Sequence, residues 1–302
     1  MTRFPVCALR SAELDTPNLA ISEAFYTEIW GLTVAARVDG AVYLRATGDD
    51  HHVLVLRAAA TSALRAVVFR TETHADLAGI AARASEQGAT ILAPEPPDPA
   101  GGSSLALREP HGLVLRFVHG DQRHADARRV ANLPLRLAHV NVNSTDVDAT
   151  SAFFENALGF HLADRSKLMA FVRCNADHHA VVIAEAKVCG LNHIAFLMPD
   201  LESVMRGSGR LVDHGYPIGW GVGRHGPGDN VFAYFLDPLG IVVEYTAEVL
   251  QVDDSYRFRG PDEWTWPPGR TDHWGIAPPK PDHVKQAQIA VGFATGGQHV
   301  DA

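Results

Sequence analysis

Among the 16 histidines of this 302-residue chain, His139 and His193 stand inside apolar runs, and so does one carboxylate, Glu244. The runs at 135–143, 191–198 and 241–245 read as strands, where an ionisable side chain is costly unless it is paired or bound to metal. If the three strands are neighbours, two neutral imidazoles and a carboxylate share one face. That is the facial triad that holds octahedral Fe(II) and leaves positions open for substrate and oxygen. Taken singly, each also reads as an isolated, satisfied polar residue at a sheet edge.

The elements that must position these residues come in duplicate. Phe25-Tyr26-Thr27-Glu28-Ile29-Trp30-Gly31-Leu32 resembles Phe153-Phe154-Glu155-Asn156-Ala157-Leu158-Gly159-Phe160 at an offset of 128. The same offset relates Leu107-Arg108-Glu109-Pro110-His111-Gly112-Leu113-Val114-Leu115-Arg116-Phe117 to Phe235-Leu236-Asp237-Pro238-Leu239-Gly240-Ile241-Val242-Val243-Glu244-Tyr245. Two distant matches at one spacing indicate a duplicated unit of about 120 residues. Each unit reads as strand, helix and short strands, twice over. In the second, helices are expected at 146–157 and 200–214, the latter closed by Gly215, with strands at 168–174, 180–184 and 231–236 besides the three above. In the first, strands are expected at 6–11, 41–44, 52–56, 66–71, 104–108 and 113–118. At or next to the places of the triad, the first unit carries Ser11, Arg65 or Ala66, and Arg116. The duplicated fold therefore does not need two His and a Glu there, and a cation in place of Glu244 would repel a divalent ion.

The second unit resembles the type I extradiol ring-cleavage dioxygenases of the vicinal oxygen chelate (glyoxalase/bleomycin resistance) superfamily. The likeness lies in His139-Val140-Asn141 followed by Asp146-Val147, in Gly190-Leu191-Asn192-His193-Ile194-Ala195-Phe196, and in Phe235 to Glu244 with its Asp-Pro-x-Gly turn. The resemblance implies an α+β protein of two domains, each of paired βαβββ modules. It implies a catalytic second domain holding Fe(II), or Mn(II), through His139, His193 and Glu244. It further implies that His179 is the acid–base histidine, that His225 and Tyr234 line the oxygen and substrate pocket, and that Asn141 stands near bound oxygen. The reaction implied is meta cleavage of a catechol with both atoms of O₂ incorporated, and a homo-oligomer is the assembly the family suggests. The alternatives are a glyoxalase-like isomerase or transferase, whose four ligands usually spread over two modules, and a metal-free small-molecule-binding resistance protein.

The expected division is 1–120, a polar linker at 121–132, 133–248, and an extension at 249–302 rich in Trp and Pro with a polar end. Trp264, Trp266 and Trp274 in that extension are expected to pack within the domain, between subunits, or over the pocket. Met169, Phe171, Val172, Ile183, Phe196, Trp220 and Phe232 are candidates for its apolar wall. No cluster of Arg or Lys in the second unit meets a substrate carboxylate, Arg173 and Arg224 being the candidates at hand, so a neutral catechol is the expectation. With 26 Lys and Arg against 35 Asp and Glu, the net charge is −9 and disfavours nucleic acid or an anionic membrane as partner. No apolar run approaches a membrane span, and residues 1–15 lack the apolar core of a secretion signal, so cytoplasmic residence is expected. The three cysteines, Cys7, Cys174 and Cys189, show no CxxC spacing, which fits neither a disulfide framework nor a thiolate zinc site.

Overall fold

The computed structural model describes residues 4–94 and 97–295, so the last polar residues of the extension lie outside the described part. Two mixed sheets with the same strand order dominate it. The second contains, edge to edge, His161–Arg165, Met169–Arg173, Val181–Glu185, Arg136–Ser144, Gly190–Leu197, Val242–Ala247, Val231–Leu236 and Trp220–Arg224. Two four-stranded halves thus meet where Arg136–Ser144 pairs antiparallel with Gly190–Leu197. The first sheet repeats the order with its own strands and gains a short ninth strand, Gly292–Phe293, from the C-terminal extension.

Local chemistry explains the boundaries. Asp146 caps the helix Val147–Asn156 by accepting from Ala149 N at 2.9 Å, and Asp200 caps Leu201–Asp213 by accepting from Ser203 N at 2.8 Å. The Asp237 carboxylate accepts from the backbone N–H of Leu239 and Ile241, closing the turn that sends the chain back into Val242–Ala247. In the first unit Glu109 does the same for His111 and Leu113. The expected strands and helices of the second unit are present within a residue or two. The edge strands His161–Arg165 and Trp220–Arg224 were not expected, because neither has an alternating apolar pattern. His52, expected to open a strand, instead precedes Leu54–Ala58, and the first unit's opening strand runs on to Thr16.

One apolar core runs through both units. Trp30, at the end of the first unit's helical turn Phe25–Trp30, stacks on Tyr245 at 3.9 Å, and the Tyr245 hydroxyl donates to the Trp30 carbonyl. The residue beside Glu244 is therefore held by the other half of the molecule.

Candidate metal centre and its cavity

His139, His193 and Glu244 come from the three central strands of the second sheet. Ala195 pairs with His139 on one side and with Glu244 on the other, and His193 lies two residues along the same strand, so the alternation of the pleat puts all three side chains on one face. His139 Nε2 lies 3.1 Å from His193 Nε2, and Glu244 Oε2 is 3.3 Å from the first and 3.0 Å from the second. All three are buried.

Burial draws the pKa of His139 down to about 3 and that of His193 to about 4, which leaves both imidazoles neutral with lone pairs to offer. Neither Glu244 oxygen meets a donor at hydrogen-bonding geometry, and no partner takes His139 Nδ1. A carboxylate left so in a protein interior is costly. Separations of 3.0–3.3 Å are those of ligand atoms set near a right angle about a cation with bonds of about 2.1 Å. The donor set, two imidazoles and one carboxylate, suits a divalent transition metal. The three residues fit such an ion.

Around them, each neighbour is fixed by another. His193 Nδ1 lies 2.9 Å from Asn192 Oδ1, which selects the tautomer that keeps Nε2 free. His179 stands with its ring 4.6 Å from that of His139, its Nδ1 3.1 Å from His178 Nδ1. His178 Nε2 in turn lies 2.8 Å from Asp164 Oδ2, to which Tyr256 also donates. Burial and the surrounding imidazoles hold the His179 pKa well below the ordinary range. Gly228, at φ +82°, passes so close that a Cβ would meet His179 Cε1 at 2.6 Å. His225 stacks on Phe232 at 4.0 Å, and its Nε2 is 3.2 Å from the Tyr234 hydroxyl. The Asn141 Oδ1 is buried without a partner.

His139, His193, His179, His225, Tyr234 and Asn141 border a cavity of about 210 Å³ that also touches Met169, Phe171, Trp220, Trp264, Trp266 and Lys280. A single substituted aromatic ring is the size of molecule it suits. Of the apolar candidates, Met169, Phe171 and Trp220 line it, Phe232 supports His225 and Trp220 from behind, and Val172, Ile183 and Phe196 belong to the core. The extension closes over the cavity through Trp264 and Trp266, while Trp274 stacks under Arg224 outside it. Arg173 sits over Phe4 and Arg224 pairs with Glu248, so neither of the expected cations borders the cavity.

A family model described as "Glyoxalase/Bleomycin resistance protein/Dioxygenase superfamily" matches residues 9–117 and 136–245, once for each unit. The chain belongs to this superfamily. Within the superfamily it is similar to Metapyrocatechase 2 of Cupriavidus necator, 29% identical over 82% of this chain and 82% of that protein. It is also similar to the Manganese-dependent 2,3-dihydroxybiphenyl 1,2-dioxygenase of Geobacillus genomosp. 3, 25% identical over 74% and 79%. Among solved structures, the Mn(II)-bound glyoxalase from Novosphingobium aromaticivorans matches with a TM-score of 0.85 and 30% identity over 94% of each chain. The homoprotocatechuate 2,3-dioxygenase of Arthrobacter globiformis shares the fold, with a TM-score of 0.84 at 23% identity over 93% and 92%.

Sequence reasoning missed the Asp164–His178 pair, Lys280 and Gln288. His178 adjoins a chosen residue, but its partner Asp164 lies on the unexpected edge strand. Lys280 and Gln288 lie beyond the repeat, in a stretch whose prolines give no period to read. No described helix is long and apolar enough to cross a membrane.

Proposed function

We propose that this protein cleaves a catechol-type diol outside the two hydroxyls, consuming O₂, with an iron or manganese ion held by His139, His193 and Glu244. The observation that carries this reading is the convergence of those three buried donors, the Glu244 carboxylate without a hydrogen-bond partner, beside His179, His225 and Tyr234. Such an ion, when bound, supplies open positions for both diol oxygens and for O₂ and a path for electrons between them.

The residues of the chain do the remainder. Neutral His179, oriented by His178 and Asp164, accepts a proton from a diol hydroxyl and returns it when the product forms. His225 and the Tyr234 hydroxyl, one directed at the other, stabilise negative charge on oxygen by hydrogen bonding. Burial and the nearby Glu244 keep the Tyr234 phenol protonated, hence a donor. Trp220 and Phe171 hold the ring, and Trp264 and Trp266 exclude water.

The glyoxalase neighbour names a different reaction on the same fold, and fold does not choose between them. Three ligands from one unit, with Arg116 at the matching place of the other, support the oxygen-dependent reading. In the same proposal 133–248 is the catalytic domain, 1–120 a counterpart without the metal ligands, and 249–302 an extension of which Trp264 and Trp266 border the cavity. Homo-oligomerisation and cytoplasmic residence belong to it as well, the first open to light scattering. The deciding experiment is oxygen uptake by the Fe(II)- or Mn(II)-loaded protein with substituted catechols. Uptake matching diol consumption, with a yellow ring-opened product, is expected; ring opening without oxygen would overturn the proposal.

A further inference from the structure

The groups that would hold metal and move protons all come from the second unit, but the cavity's cation does not. Among the described residues lining the cavity, Lys280 is the single lysine or arginine, and it arrives from the C-terminal extension. Its Nζ donates to Gln288 Oε1 at 2.9 Å and lies 4.4 Å from the centre of the Trp220 ring and 5.4 Å from that of Tyr234. All three partners are neutral. No carboxylate among the described residues is within ion-pairing distance of it, and the acid it senses most strongly is Glu244.

The ammonium is held in this position. Gln288 is buried, its Nε2 donates to Asn192 Oδ1 at 2.5 Å, and its backbone carbonyl accepts from Asn143 Nδ2 at 2.6 Å. Lys280 cannot follow Gln288 elsewhere, and two of its three N–H groups remain for a ligand. Burial already draws its pKa down to about 8, the mark of a cation short of counter-charge.

Charge counting says where the counter-charge must come from. A divalent ion with two neutral imidazoles and one carboxylate keeps a net single positive charge, which a diol bound as its monoanion cancels. The charge on Lys280 is then left over, on the wall made by Trp220 and Tyr234 rather than among the three ligand atoms. A second negative group on the substrate answers it, and a carboxylate accepts two charge-assisted hydrogen bonds from an ammonium placed this way.

We propose that Lys280 is the specificity-determining residue of the cavity, selecting a diol that bears a carboxylate on its ring or on a short side chain. This rests on the ring-opening reading and replaces the neutral catechol expected from the second unit alone.

The test uses the full-length, Mn(II)-loaded protein without oxygen and compares binding of 3,4-dihydroxyphenylacetate, 4-ethylcatechol and dopamine by calorimetry. The acid should bind roughly 10- to 100-fold more tightly than the neutral diol, the range of a charge-assisted hydrogen bond. Lys280→Met should erase that ratio, Lys280→Arg should keep most of it, and Lys280→Glu should turn the preference toward the amine. Because each ratio is taken within one protein, a loss of folded material does not imitate the result. Equal affinities in the unaltered protein, or an acid preference that survives Lys280→Met, would overturn the assignment. Oxygen uptake with 4-ethylcatechol is read separately. Its presence alongside equal affinities removes only the role of Lys280, whereas its absence with every diol removes the ring-opening reading.

Discussion

The two units place different chemistry on one lattice of strands. Ser11 faces Val68 as His139 faces Ala195, Glu13 faces Ala66 as Asn141 faces His193, and Val68 faces Arg116 as Ala195 faces Glu244. Ala66, not Arg65, is thus the counterpart of His193; Arg65 pairs with Asp15 at 2.6 Å. In the first unit the central groups are of opposite charge and form ion pairs, although Arg10 and Glu13 each keep a buried atom without a hydrogen-bond partner. Arg116 donates to Glu13 at 2.6 Å, and Arg10 donates to His52 at 2.8 Å and to Asp98 at 2.6 Å. In the second, the Nε2 atoms of two imidazoles and an oxygen of Glu244 instead converge within 3.3 Å of one another. One feature is common to both: the pairs His51–His52 and His178–His179 each hold their rings at 5.3 Å and their Nδ1 atoms at 3.1 Å. Two adjacent histidines with facing Nδ1 atoms are therefore common to both units, and the convergence of two imidazoles and a carboxylate is what marks the second unit as the site.

Making the second unit like the first should have the largest effect. Glu244→Arg puts the first unit's cation among the two imidazoles, and metal affinity should fall by more than about 100-fold, since a ligand should matter at least as much as its outer partners. Turnover should fall to background. Titration with Mn(II) followed by EPR, together with oxygen uptake, checks both; stoichiometric metal in the variant would refute the site. Next in size is His179→Gln, which should retain metal yet lower kcat by about 100- to 10,000-fold, the usual worth of a positioned acid–base group. Loss of metal to the same degree as activity would make His179 a ligand instead.

A smaller effect distinguishes the histidine pairs from each other. Asp164 touches His178 in the second unit, so Asp164→Asn should lower kcat by about 10-fold with little change in bound metal, by loosening the orientation of His179. A shift of the acid limb of the kcat–pH profile is the reading that mere destabilisation would not produce. The converse change belongs to the first unit. Glu13→Gln breaks a largely buried pair with Arg116, and global unfolding in urea should show a loss of about 3 kcal/mol with metal content intact. A fall in metal content there would mean that the first unit takes part in the site.

The central strands and their triad were legible because the duplication supplied a control: apolar runs recurring at one offset fix the fold, and the ionisable residues present in one copy alone need another cause. The helix caps and the Asp-Pro-x-Gly turn were equally local. What escaped was non-local or without period. Trp220–Arg224 contains two glycines and an arginine and is a strand only because Val231–Leu236 pairs with it. Asp164 looks like a surface acid until His178 and Tyr256 bury it. Lys280 and Gln288 reach the cavity from outside the repeat, so no internal comparison could single them out.

The first unit's histidine offers the smallest and most quantitative test of the parallel. His52 Nε2 accepts from Arg10, so it must be neutral, and burial and the adjacent guanidinium hold its pKa well below the usual 6.5. In the unfolded chain His52 takes up a proton as pH falls through 6.5, while in the folded chain it does not. The unfolded state then binds more protons, so stability contributed by this group is full above that value and lost as pH falls below it. Between pH 7.5 and 5.5 the loss amounts to about 1.4 kcal/mol for one such group. His52→Gln keeps an oxygen for Arg10 and removes the titration, so its unfolding free energy should depend on pH less than that of the unaltered protein by about this amount over this interval. Equal slopes would mean that His52 takes up its proton in the folded chain as readily as in the unfolded one, and that the match with His179 stops at geometry.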